Sequence, residues 1–358
     1  MEYSASVAVG LFHSVILDCN GVVWTAGSNM HGELCHGDTL ERQGGFKRLY
    51  GNYKGVFCGG NSTFLIEMDG LVKAAGYRIH GMGRSVCTTL EYIPNQPKIG
   101  TLMISTCVAY TLLLDNEGNV WYCNSINGIY KQIQNIPLIV KISSGDVGLL
   151  LDEMGQAWRI VDDASNGKQA ILINGQSSII DIAANSKTCL FVNDKREVLI
   201  SGSHYAIPSG IPKIGIHSLS ECCKLSSITQ IALSESSIYL INEDGKVKVA
   251  STKLSSLERR CTEEDYQKFR NRNTYLNPEN LSTFQDILNI PPIVYIDTRF
   301  QHAILIDNTG KAWGLGDNST CQLGFVETTI DTPALIPRIP EIASQTKYNK
   351  VKSARSAK

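Results

Sequence analysis

The sequence predicts an all-β fold, a seven-bladed β-propeller, and three observations carry that prediction. A strand-turn-strand phrase recurs along the 358 residues, its copies are separated by roughly one blade's length of chain, and each is preceded by a short apolar segment. Self-similarity at a period of about 40–50 residues, with a hairpin plus further strands as the unit, marks radial β-repeats whose closure leaves few exposed edges.

The first copy is the clearest. Val15-Ile16-Leu17 and Val22-Val23-Trp24 flank Asp18-Cys19-Asn20-Gly21. β-branched and aromatic residues suit the strands, glycine takes positive φ without strain, and the aspartate offers an acceptor to the turn backbone. With this turn as a ruler, six more appear at Gly70, Gly118, Gly155, Arg196, Gly245 and Gly310, the fifth copy carrying arginine where the others have glycine. The seven turn positions lie 37 to 65 residues apart, one turn per blade. Before each hairpin stands a candidate third strand: Val7-Ala8-Val9, Gly55-Val56-Phe57, Met103-Ile104, Val140-Lys141-Ile142, Ile180-Asp181-Ile182, Thr229-Gln230-Ile231 and Val294-Tyr295-Ile296.

Composition bounds the function. Hydrophobic residues at 43% and charged residues at 19% give ample core for one ring spanning 1–358, and the repeat count outweighs a length that would otherwise suggest two domains. A formal net charge of −1 supplies no global attraction to nucleic acid or anionic lipid, so a nucleic-acid partner ranks last. No apolar run approaches the roughly 20 residues of a membrane span, and no basic-then-apolar leader opens the chain. The expected address is cytoplasmic or nuclear. The 11 cysteines include no C-x-x-C pair, and several, such as Cys58, Cys107, Cys123 and Cys189, fall in apolar segments, which reads as reduced, buried thiols.

The phrase Gly10-Leu11-Phe12-His13-Ser14, then Gly21-Val22-Val23-Trp24, then Gly27-Ser28-Asn29 with Gly32-Glu33-Leu34 resembles the repeat of the regulator-of-chromosome-condensation family, whose members are seven-bladed propellers. His302 to Trp313, Gly316-Asp317-Asn318 and Gln322-Leu323-Gly324 repeat it near the end. The resemblance is strong over 5–40 and 294–325, moderate over 55–83, and elsewhere rests on turn spacing. Propellers of the WD and kelch types compete, but the chain contains no Trp-Asp dipeptide and its Gly-x-Asn motif favours the family named.

The resemblance implies a protein partner. The best-known family member catalyses nucleotide exchange on the small GTPase Ran, while others are binding platforms or regulators, so fold leaves function open. In the exchange factors several GTPase contacts lie in the two positions between the repeat's glycine and histidine. That correspondence selects Leu11 and Phe12, Gly60 and Asn61, Val108 and Ala109, Asp146 and Val147, Ser186 and Lys187, Glu235 and Ser236, and Phe300 and Gln301. Only Asp146 and Glu235 are acidic, too few to complement a basic GTPase surface. Gly145-Asp146 does match the Gly-Asp step of a functional blade, with a capped turn as the plainer reading. Leu11, Phe12 and Phe300 would meet on one rim if the ring closes, either as an exposed partner patch or tucked under loops.

No catalytic residue, metal or cofactor is expected. The sequence has no G-x-S-x-G elbow, Walker loop, H-E-x-x-H or dinucleotide fingerprint. His13 and His302 read as structural hydrogen-bonders between blades. His31 and His36 lie in the loop that follows Gly27-Ser28-Asn29, and read as loop residues before metal ligands. The leading function is therefore a non-enzymatic protein-interaction propeller acting as scaffold or regulator. Nucleotide exchange on a Ran-like GTPase is the alternative, and chromatin association the third.

Two segments depart from the repeat. Residues 254–290 turn helical in pattern, with Thr262-Glu263-Glu264-Asp265 as a helix start and Leu281, Phe284 and Leu288 on one face after Asn277-Pro278-Glu279. Residues 347–358 are either an eighth copy of the inner strand that helps close the ring, a basic tail, or the end of a piece cut within a repeat. Long insertions in compact domains are usually functional or disordered, which makes Arg259, Lys268, Arg270 and Arg272 candidate partner contacts. Reversing these four to Glu is expected to weaken partner capture in a pull-down while the melting temperature stays nearly constant, because exposed charges steer association more than they stabilise a fold.

Overall fold

The structure, a computed structural model, describes residues 6–40, 42–145, 147–163, 167–173, 178–185, 188–202, 217–218, 226–235, 237–251 and 284–340. Seven four-stranded antiparallel sheets stand around a central channel. The blades occupy 7–49, 53–92, 101–132, 139–172, 179–218, 228–286 and 293–335, and within each the strands run outward from the axis in chain order. Blade 1 shows the pattern, from the inner strand Val7–Val9 through His13–Leu17 and Val23–Gly27 to the outer strand Arg42–Leu49.

The seven expected inner strands and hairpins are all present. The outer strands went unread in the sequence, because they are short or irregular; in blades 3, 5 and 6 each has only two residues. In blades 2 to 7 the pairing of inner and second strands skips one inner residue, such as Val140 and Ile180. Such a bulge sharpens the local twist and re-aims the side chains that follow.

The hairpin turn explains the tryptophans. Asp18 Oδ1 accepts the N–H groups of Asn20 and Val22, and its Oδ2 accepts the indole N–H of Trp24 at 2.9 Å. Asp115 with Trp121, Asp152 with Trp158 and Asp307 with Trp313 repeat the arrangement at 2.9 Å each. All four tryptophans of the chain are used this way. Where the tryptophan is absent the partner changes too. In blade 2 Glu67 holds Lys73 at 2.8 Å, and in blades 5 and 6 the turn residue is Asn193 or Asn242, followed six positions on by Leu199 and Lys248.

The core lies mainly between blades. One cluster joins Val7, Val9 and Ile16 of blade 1 to Ile304, Ile306 and Leu323 of blade 7, so the first and last blades share apolar packing. The eight free cysteines among the described residues are buried or half-buried except Cys19, as expected of reduced small hydrophobes. No helix of the described residues is long and apolar enough to cross a membrane.

The helical reading of 254–290 is corrected at its end, where Gln285–Asp286 is the outer strand of blade 6. Phe284 packs half-buried on the blade 5/6 core and Leu288 is 70% exposed, so these two do not share a helix face. The backbone at 285–286 is committed to sheet pairing, which overrides the local periodicity. The remainder of the insertion through residue 283, with Arg259, Lys268, Arg270 and Arg272, lies outside the described residues, as does 347–358. Blades 1 and 7 each have four strands from 7–49 and 293–335.

The turns make a quantitative prediction. Asp152 is buried, and Asp152→Ala strands two turn N–H groups and an indole N–H, which is expected to cost about 2–4 kcal/mol in urea unfolding. Arg196 sits at φ 65°, where Gly155 has φ 79°, so Arg196→Gly trades relief of left-handed strain against backbone entropy and should shift stability by no more than about 1 kcal/mol.

Candidate functional site

Two faces of the ring differ in origin. The Asp-Gly turns lie on one. On the other lie the loops from inner to second strand, carrying the G-x-x-H phrase, and the loops carrying Gly-x-Asn. The first kind is a tight turn, closed by Gly10 N–H donating to His13 C=O at 2.9 Å and by equivalent bonds at Gly59, Cys107, Asn185 and Ser234. Gly10 is required because a Cβ there would stand 2.1 Å from His13 Cε1.

His13 and His302 are the inter-blade bonders the sequence suggested. His302 Nε2 meets Ser14 Oγ at 3.1 Å across the junction of blades 7 and 1, and His13 Nε2 meets Thr63 Oγ1 at 3.1 Å across blades 1 and 2. Thr63 donates its hydroxyl hydrogen to Glu33 C=O at 2.6 Å, so His13 must be the donor to Thr63, which fixes its tautomer. In blade 2 the repeat histidine is Ser62, and His80 from the next loop takes over by pairing with Thr111 of blade 3 at 3.0 Å. In blade 3 Tyr110 takes the role and donates to Gly145 C=O of blade 4 at 3.0 Å. Burial holds both repeat histidines neutral, His13 lowered to about 4 and His302 to about 3.

The Gly-x-Asn residues are internal as well. Asn29 donates to the C=O of Asp38 and of Leu40 and accepts from Leu34 N–H, and Asn318 does the same with Phe325, Glu327 and Leu323. His36 meets Thr25 Oγ1, and the His31 ring stacks on Tyr77 at 4.6 Å between ring centres while the main-chain N–H of His31 donates to the Glu33 carboxylate. Among the described residues no group of three or more His, Cys, Asp or Glu could hold a metal.

The rim residues separate into two groups. Leu11, Phe12 and Phe300 do come together across the ring junction, but not as an exposed patch. They form a buried cluster, 5%, 8% and 1% exposed, with Phe12 and Phe300 edge to face at 5.5 Å. The main chain draws them in. Leu11 N–H donates to Gly60 C=O, Phe12 C=O accepts from Ser28 N–H and the Thr320 hydroxyl, and Phe300 N–H donates to Glu235. Glu235 is thereby bound into the ring, leaving its carboxylate less available to a partner. Gln301 is half-buried beside them and Asn61 is half-buried at the channel mouth. Asp146 lies outside the described residues.

The open part of this face lies at blades 2 to 4. The channel, about 1620 Å³, is lined from all seven blades, and its border here includes Gly60, Asn61, Tyr77, Arg78, Val108 and Ala109. Val108 is 67% and Tyr77 36% exposed. Deeper in the channel stand polar groups the sequence reading did not single out. Lys141 of blade 4 pairs with Asp181 of blade 5, whose other oxygen accepts Ile231 N–H of blade 6. Arg299 of blade 7 reaches across to the C=O groups of Cys58 in blade 2 and Thr106 in blade 3. Asp297 accepts Val9 N–H at 2.8 Å, and enclosure by the channel wall raises its carboxyl to about 6. The available signal was a charge inside each otherwise apolar inner strand.

Among solved structures, the chain is similar to human WBSCR16, with a TM-score of 0.63, 12% identity and coverage of 85% of this chain and 87% of that one. It is also similar to the ectodomain of the Arabidopsis thaliana receptor kinase ACR4, with a TM-score of 0.52, 11% identity and coverage of 87% and 98%. Yeast Prp20p, whose structure was reported with its binding properties to Gsp1p and histones, gives 0.49 and 15% over 99% of this chain and 86% of that one. The first two likenesses show the fold, a β-propeller. No family model matches the chain, and no curated protein matches it.

The histidines set an acid response. Each has a folded value below its ordinary 6.5, so the unfolded chain binds more protons and stability falls as pH drops from about 6.5 through about 4, by up to about 3 kcal/mol per histidine. Asp297 acts in the opposite sense, since its raised value means that a penalty lifts as pH falls through about 6. Urea midpoints between pH 7 and 4 should therefore fall for the native chain, fall more steeply for Asp297→Asn, and fall less for His302→Gln.

Proposed function

We propose that the protein is a non-enzymatic binding module that engages a protein partner over the channel mouth at blades 2 to 4. One observation carries the reading. Among the described rim positions there, Val108, Ala109 and Val147 are exposed and Gly60 and Asn61 half-buried, while their counterparts at the ring junction, Leu11, Phe12 and Phe300, are buried for closure. Exposed Val108 and Tyr77 supply the apolar anchors that protein interfaces favour, and exposed Arg78 a polar rim.

The reading needs no chemistry at the site. Lys141 and Asp181 satisfy one another, and Arg299 donates to two main-chain carbonyls, so these three charges hold blades together. Nucleotide exchange on a Ran-like GTPase is tested beside it, because such exchange also proceeds by binding alone.

Affinity capture from lysate, followed by recapture of the purified partner, checks the proposal. Val108→Glu together with Arg78→Glu should reduce partner affinity by about ten-fold or more, with a nearly unchanged melting temperature because both side chains are exposed. Undiminished capture by the double variant would move the site elsewhere. Accelerated nucleotide release from a small GTPase, lost in Asp146→Ala, would replace the scaffold reading with the exchange reading.

A further inference from the structure

A propeller's outer strands are its exposed sheet edges, and natural proteins blunt such edges with shortness, charge, proline or bulges. Among the described residues, blades 3, 5 and 6 are blunted by shortness, with two-residue outer strands. In blade 1 the outer strand Arg42–Leu49 carries Lys47 and Arg48 and an irregular register. In blade 2 the strand Val86–Tyr92 is also irregular, Thr88 C=O is already taken by Gly37 N–H of blade 1, and Glu91 is paired with Arg84. In blade 7 the strand Thr329–Leu335 has a register break, Asp331 and Pro333.

Blade 4 is the exception. Its outer strand Gly167–Leu172 pairs with Ala157–Asp163 over six consecutive residues without a break, and contains no proline, acid or bulge. Ile171 and Leu172 are 37% and 38% exposed. Antiparallel pairing alternates, and Ile173 N–H donates inward to Ala157 C=O at 2.9 Å. The inward-bonding residues are therefore Ile171, Gln169 and Gly167. The outward ones are Leu172, Ala170 and Lys168, and the outward direction of Lys168 N–H is confirmed by its bond to Tyr122 OH of blade 3 at 3.1 Å.

We propose that this edge pairs antiparallel with the same edge of a second copy of the chain. The two-fold axis would pass beside Ala170, whose small side chain admits close approach. Ala170 would face Ala170 of the other copy and Leu172 would face Lys168, giving about four main-chain hydrogen bonds once the N–H held by Tyr122 is set aside. Charge permits it. The one ionic group of the strand, Lys168, already sits on Asp162 and over the ring of Tyr110 at 4.6 Å, so two copies meet without uncompensated like charges. The pairing is isologous and closes on itself, consuming both free edges and leaving none to propagate, which favours a dimer over a filament.

Sedimentation velocity on the full chain between about 1 and about 100 µM tests this, with a dissociation constant expected on the order of 10 µM for so small a contact. Ala170→Pro removes only an outward N–H and leaves the ladder to the neighbouring strand intact, and Ile171→Lys places a gatekeeper charge on the edge. Each should raise the dissociation constant by about ten-fold or more while the far-ultraviolet spectrum and melting temperature hold. Hydrogen exchange of the native chain gives a readout free of mutation, in which the amides of Ala170 and Leu172 gain protection as concentration rises. A native chain that stays monomeric throughout, a dimer that both folded variants retain, or exchange at these amides that ignores concentration would each overturn the proposal.

Discussion

Closure of the ring without strand exchange is the constraint on which the rest depends. Every blade is built from four consecutive strands, so blade 7 is not stitched to blade 1 by a shared strand among the described residues. The junction is held instead by side chains and packing: His302 to Ser14, Asp297 to Val9 N–H, the Thr320 hydroxyl to Phe12 C=O, and the apolar cluster around Val9, Ile16 and Ile304. A closed ring needs every junction satisfied at once. The chain meets this with a relay from blade to blade, in which side chains from different loop positions take the same part: Tyr110 at the histidine position itself, His80 from the next loop, and Asn185 from the glycine position by donating to Ser234 C=O between blades 5 and 6.

That demand decides which rim residues are free. At the ring junction, Leu11, Phe12 and Phe300 are drawn inward because their backbones bridge blades, and burying three large apolar side chains there contributes to closure. At blades 2 and 3 the same positions carry the half-buried Gly60 and Asn61 and the exposed Val108 and Ala109. Stability and recognition thus divide one loop position between them around the ring.

Within blades, the tryptophan and its turn carboxylate form a unit that tolerates replacement only in matched pairs. An indole N–H half-buried beside the turn needs a carboxylate oxygen left over after the two backbone bonds, and aspartate has one. Asparagine has a single oxygen, used on the turn, and in blades 5 and 6 it appears without the tryptophan. Blade 2 reaches the same end with the ion pair of Glu67 and Lys73.

Local chemistry at fixed spacing determined what the sequence alone could tell. The seven hairpins, their turns, the inner strands and the bonding role of His13 and His302 were legible because each depends on a few neighbouring residues, and one clear copy calibrates the rest. Tertiary structure decided whatever depends on groups far apart in the chain. The outer strands carry little periodicity of their own, and Gln285–Asp286 becomes a strand only because Val247–Ser251 waits beside it. Whether Phe12 faces solvent depends on Phe300, nearly 290 residues away, and the same holds for the bridge from Arg299 to Cys58 and Thr106. Such contacts exist only once the ring has closed, which is why they leave no local trace beyond a charge set in an apolar strand.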